Sequence, residues 1–95
     1  MHIVIYCIDN PATPGHRQRF YEEHLRYLGE QDTVRLLIAG PLLKEDSEKK
    51  IGSLLVVEAV GLSAAKEFSA NDPFAIHGVW RDVQIHRYLK STDNR

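Results

Sequence analysis

His2-Ile3-Val4-Ile5-Tyr6-Cys7-Ile8 is the stretch from which the fold can be read. It is β-branched and aromatic, and it is apolar on both alternating faces, so it predicts a strand in the middle of a sheet. Asp9-Asn10-Pro11 ends it, and Thr13-Pro14-Gly15 continues the loop. A helix is expected next, from about Pro14 to Gly29. Pro14 suits a first helical turn, Thr13 can cap it, and Gly29 suits the C-terminal side. Phe20, Tyr21, His24, Leu25 and Leu28 recur at steps of three and four. They form one stripe toward the sheet, while Glu22, Glu23, Arg26 and Glu30 take the solvent side.

Outward from there the pattern repeats. Val34 to Gly40 reads as a second strand, with Gly40-Pro41 marking a bulge or an end. Lys44 to Lys50 has no apolar residue and reads as a solvated hairpin loop. Gly52 to Val60 is a third strand, paired antiparallel with the second through that loop. Ser63 is placed to cap a short second helix that ends before Asn71. A turn or single helical turn covers Pro73 to Ile76. Gly78 to Tyr88 is a fourth strand, whose Arg, Gln and His content suits an edge. Strand, helix, strand, strand, helix, strand is the ferredoxin-like βαββαβ order, an α+β fold with a four-stranded antiparallel sheet and both helices on one face. Residues 1–95 read as a single domain. The first three strands are apolar on both faces, yet two helices cover only one. The other face would be a large apolar patch, so a homodimer or dimer-based oligomer, sheet against sheet, is expected.

Composition narrows the partners. The chain is 43% hydrophobic and 26% charged, with a net charge of −1 and no basic block. That argues against nucleic acid and against an anionic membrane. Cys7 is the single cysteine, so there is no internal disulfide and no thiolate-rich metal site. His2, His16, His77 and His86 show no ligand spacing, and no glycine-rich phosphate loop is present, so neither metal nor cofactor is expected. Met1 to Ile8 is too short for a signal peptide, and no apolar run approaches a membrane span. A cytoplasmic protein is the expectation.

Phe68-Ser69-Ala70-Asn71-Asp72-Pro73-Phe74-Ala75-Ile76-His77-Gly78 holds the chain's only Asp-Pro. A residue before proline is held out of the α region. Asp72 can therefore start a helical turn while its carboxylate accepts hydrogen bonds. By itself that is an ordinary cap, and by itself His24 is an ordinary core or boundary histidine. Together they offer more. A carboxylate bonded to one imidazole nitrogen fixes the tautomer and leaves the other as an acid or base near neutral pH. In this topology the fourth strand lies beside the first, near the first helix, so Asp72 is expected within hydrogen-bond reach of His24. Arg17 reads either as a bidentate binder of a carboxylate or phosphate or as a solvent-reaching helix arginine. Tyr6 either lines the pocket or packs.

The chain resembles the YciI-like (YCII-related domain) family of dimeric α/β-barrel proteins over about residues 2 to 88. The matching features are Ile3-Val4-Ile5-Tyr6, Arg17 followed seven residues later by His24-Leu25, Ala39-Gly40-Pro41, Gly52, and Asp72-Pro73-Phe74 before Gly78-Val79. The resemblance implies a ferredoxin-like fold dimerised through its sheets, with His24 and Asp72 as the active-site pair. Arg17, Tyr6 and Phe74 are the substrate-binding candidates beside that pair. Many members carry a second arginine three residues before the histidine, where this chain has Tyr21. Two functional readings follow. One is a small lyase- or isomerase-like enzyme using the His-Asp pair on a small molecule. The other is a non-catalytic ligand-binding or oligomerising accessory protein.

Overall fold

Residues 1–95 are described by a computed structural model. In chain order the elements are β1 (His2–Asp9), α1 (His16–Arg19), α2 (Tyr21–Glu30), β2 (Arg35–Leu43), β3 (Lys50–Glu58), α3 (Leu62–Ala70), α4 (Pro73–Ile76) and β4 (Trp80–Tyr88). The four strands form one antiparallel sheet in the order β2-β3-β1-β4. This is the ferredoxin-like α+β arrangement, with β1 inside and β4 at an edge. No helix is long and apolar enough to cross a membrane.

The alternation of β1 divides the molecule. Ile3, Ile5 and Cys7 point to the helices and are buried, opposite Val57, Leu55 and Ser53 of β3. Ala65 and Phe68 of α3, Phe74 of α4, and Val79 and Trp80 at the start of β4 complete that core. The other face carries Val4, Tyr6 and Ile8 of β1, Leu54 and Val56 of β3, and Ile38 of β2, and no helix covers it. Gly52 is required where β3 meets β1. A Cβ there would run into the Cys7 carbonyl oxygen.

Several boundaries differ from the pattern. The first helix is two pieces, broken at Phe20, whose backbone (φ −103°, ψ 11°) leaves the helical well. The break separates two attachments, since Arg17 on α1 bonds to β1 and β3 while α2 lies on α4. Thr13 does not cap the helix. Its hydroxyl donates across the chain to the Gly78 carbonyl (2.9 Å), and α1 starts instead at Gly15, in the left-handed region at φ 88°. Ser63 does not cap α3 either; Gly61 stands at that position, with no side-chain cap bond. Gly40-Pro41 neither ends nor bulges β2, which runs on to Leu43. Pro41 is tolerated because β2 is an edge strand. The register slips lie elsewhere, between Leu36 and Ile38 and between Leu42 and Leu43.

Candidate functional site

Asp72 is the N-cap of α4, with Pro73 at the first helical position. Its extended backbone (φ −66°, ψ 132°) is the conformation a residue before proline prefers. One oxygen, Oδ1, accepts from the Phe74 amide (2.9 Å) and from His24 Nδ1 (2.7 Å). A carboxylate can only accept here, so Nδ1 carries the proton and Nε2 is the free nitrogen. Asp72 is 0% exposed, and its Oδ2 has no partner. Leaving a charged oxygen unpaired and buried costs at least about 1–3 kcal/mol, so the surrounding structure must hold this group against its solvation.

Packing holds the ring. His24 is 8% exposed, and its imidazole stacks on Phe74 at 3.9 Å between centroids and 4° between planes. The Trp80 indole meets it edge-on at 6.2 Å. Nε2 has no protein hydrogen-bond partner and is not sealed off. It belongs to a cleft of about 150 Å³ between α2 and the β2-β3 edge of the sheet. Tyr21, Leu25 and Leu28 form the helix wall. Ala39, Gly40 and Pro41 of β2 form the opposite wall, with Ser53, Leu55 and Lys50 of β3.

The buried carboxylate marks its neighbours. Burial pushes the Cys7 thiol up to about 12, and the Asp72 charge adds to the shift. Burial also raises the Tyr27 hydroxyl, again with Asp72 contributing; that hydroxyl donates to the Phe68 carbonyl (2.7 Å).

The other candidates fall differently. Arg17 lines the cleft but does not reach into solvent as a free helix arginine would. Its Nε and Nη2 bind both oxygens of Asp9 (2.8 and 2.7 Å), and Nη2 also reaches the Gly52 carbonyl and Ser53 Oγ. Its guanidinium carbon lies 5.1 Å from the Phe74 ring centroid. Asp9, expected only to end β1, thus neutralises it. Phe74 is fully buried beneath the histidine and makes no wall of the cleft. Tyr6 points to the uncovered face of the sheet, because the alternation of β1 turns it away from Ile5 and Cys7. Within one chain neither of those two touches the cleft. The stripe on α2 also needs correcting. Tyr21 and Leu25 are exposed at the cleft, and Tyr27 joins the core beside Phe20 and Leu28.

Three further residues escaped the sequence. Ser53 is the one buried polar side chain of β3, and it joins Arg17 to the Trp80 indole nitrogen (3.3 Å). Lys50 stands at the cleft mouth, its Nζ 5.5 Å from the Tyr21 ring centroid. Glu23 lies at ion-pair distance from His77 Nε2 (2.9 Å), and the His77 ring stacks on Phe20 at 3.9 Å. The lone tryptophan, just after Gly78, and the lone serine among Leu and Val were the available signals for the first connection. Nothing local signals the other two.

Comparison with known proteins gives three findings. The sequence profile of the YCII-related domain matches residues 1–88. A protein of Haemophilus influenzae described as uncharacterized is 35% identical over 96 residues, covering 95% of this chain and 98% of that one. The solved structure of 5-chloro-2-hydroxyhydroquinone dehydrochlorinase (TftG) from Burkholderia phenoliruptrix AC1100, in complex with 2,5-dihydroxybenzoquinone, superposes with a TM-score of 0.83. It is 28% identical and covers 94% of each chain.

Proposed function

We propose that this chain, which belongs to the YCII-related domain family, is an enzyme that moves a proton on a small, partly apolar molecule in the His24 cleft. One observation carries the reading. The imidazole is fixed at Nδ1 by a buried carboxylate and left free at Nε2, in a cleft. Nε2 takes a proton from a C–H or O–H of the substrate, and the Asp72 carboxylate stabilises the imidazolium that forms. In an isomerisation the proton returns at another atom of the same molecule. In an elimination the electron pair of the broken bond expels a leaving group as an anion, and the proton passes to solvent. The neighbouring protein described as a dehydrochlorinase, with its bound 2,5-dihydroxybenzoquinone, supports the lyase-like branch.

The other reading, a binding or oligomerising accessory protein, draws on the bond from the Phe74 amide to Asp72, which by itself justifies a buried aspartate. Chloride release from 5-chloro-2-hydroxyhydroquinone separates the two. The wild type should release chloride, and His24→Gln should lose about 10²-fold or more. Unchanged turnover in a folded His24→Gln protein would end the proton-transfer reading.

The uncovered face of the sheet supports a homodimer. Val4, Tyr6, Ile38, Leu54 and Val56 are apolar and lie together there. Val56→Asp should dissociate or unfold the protein in sedimentation experiments, because it places an unpaired charge in the joint. A wild-type monomer at micromolar concentration would overturn this.

A further inference from the structure

We propose that Lys50 sets the specificity of the His24 cleft, selecting a molecule about one ring in size that carries an anionic oxygen. The inference names the substrate class of the site proposed above and rests on that reading for the site's location.

The charges around the cleft lead to it. No aspartate or glutamate lines the cleft surface. Arg17 does, but Asp9 holds its guanidinium from the other side through two bonds. The His24 ring is turned by its Nδ1 to Asp72, which lies beneath it and off the cleft surface. Lys50 has no carboxylate within ion-pair distance and is exposed. It is the one cation of the cleft with no partner of opposite charge.

Strand geometry explains its position. By simple alternation from Ser53, Lys50 would point to the uncovered face, with Gly52. The register of β3 slips here, since Leu42 faces Gly52 but Leu43 faces Lys50, leaving Ile51 as an extra residue. A one-residue slip exchanges the two faces, and bulges re-aim side chains in this way. Lys50 is therefore turned to the helix side, where its ammonium rests near the Tyr21 ring. A cation on an exposed aromatic face is held weakly. Its long stem lets it leave the ring for an anion in the cleft.

Size and walls supply the rest of the class. The cleft volume, about 150 Å³, is on the scale of a single six-membered ring. Leu25, Leu28, Leu55 and Pro41 offer apolar contact to the body of such a molecule. An anionic oxygen at the mouth then meets the only uncompensated charge.

Benzoate and benzamide test this as probes of one shape and two charges. Binding is followed by NMR amide shifts of Tyr21, Leu25 and Ala39. Wild type should prefer benzoate by about tenfold, the scale of one charge-assisted contact. Lys50→Met keeps an apolar stem and removes the charge. It should bring benzoate down to the level of benzamide and leave benzamide unchanged. Lys49→Met is the control, because Lys49 lines only the larger neighbouring cavity, which Arg17 and Lys50 also border, and it should alter neither. A benzoate preference that survives Lys50→Met, or is lost equally in Lys49→Met, overturns the proposal, as does no binding of either probe. Turnover is not read in this experiment. A protein that releases no chloride yet prefers benzoate through Lys50 keeps this inference and loses the elimination branch of the proton-transfer reading.

Discussion

Two imidazole–phenyl stacks join α2 to α4, built from the same parts in reverse. At the inner one His24 of α2 lies on Phe74 of α4, and its carboxylate, Asp72, comes from the α4 side. At the outer one His77, the C-cap of α4, lies on Phe20, the N-cap of α2, and its carboxylate, Glu23, comes from α2. Both stacks are parallel, with centroids 3.9 Å apart. They differ in the nitrogen that meets the carboxylate, Nδ1 at the inner stack and Nε2 at the outer, and above all in solvent. The inner His and Asp side chains are 10% and 1% exposed, and the outer His and Glu side chains 35% and 50%. A screened pair of the outer kind contributes about 0–1 kcal/mol. The inner pair sits where an unpaired charge is expensive and an oriented one is effective. The same chemistry is therefore a fastening at one end and a candidate reactive centre at the other, and depth makes the difference.

The largest contrast should come from the two phenyl rings. Phe74 is completely buried and touches His24, Trp80 and Arg17. Phe74→Ala should cost about 3–5 kcal/mol in urea unfolding. Phe20 is only half-buried, and Phe20→Ala should cost about 1–2 kcal/mol, from its partial burial plus one lost stack. If Phe74→Ala does not fold, Phe74→Leu serves, and should still lose more than Phe20→Leu. Equal losses at the two rings would mean that depth does not separate the stacks.

The carboxylates sharpen the contrast in function. Asp72→Asn keeps an oxygen that can cap the Phe74 amide but removes the charge facing His24. Chloride release should fall about 10²-fold or more with the fold intact. Glu23→Gln should leave it within about twofold, since a half-exposed pair holds little. Loss of activity in both variants would make the outer stack part of the site.

How much of this the sequence discloses follows the same division by depth. The strand order is legible because β1 is apolar on both faces and β4 is not, and Asp72 with His24 is legible because an Asp-Pro cap and a histidine on an apolar stripe are each readable locally. The register slips are not. Leu36, Leu37 and Ile38 are all apolar, so a one-residue shift leaves the pattern unchanged, and Lys50 cannot be assigned a face without knowing that Ile51 is extra. Arg17 reads either as a ligand group or as a solvent-reaching arginine until Asp9, eight residues earlier and on another element, is seen to bind it. Tyr21 and Leu25 read as core because an open cleft is lined with the same side chains as a closed interior.

The smallest expected effect tests whether the inner charge is felt through the core. Cys7 is buried on the helix side of β1, and its thiol is pushed from an ordinary 9.0 to about 12, first by burial and then by Asp72. The sign follows from proton linkage. Between those two values the folded protein holds a proton that the unfolded chain has released. This contribution to stability is therefore intact below pH 9 and is lost as pH rises toward 12. Cys7→Ala should remove that part of the alkaline decline, read as unfolding free energy against pH. Asp72→Asn should shrink it only slightly, because burial, the larger cause, remains. Glu23→Gln should not change it, being neither buried nor among the groups that act on the thiol. A Cys7 titration in the folded protein that ignores Asp72→Asn would show that the inner carboxylate acts on His24 alone. One that responds to Glu23→Gln would show that the two stacks share their charge.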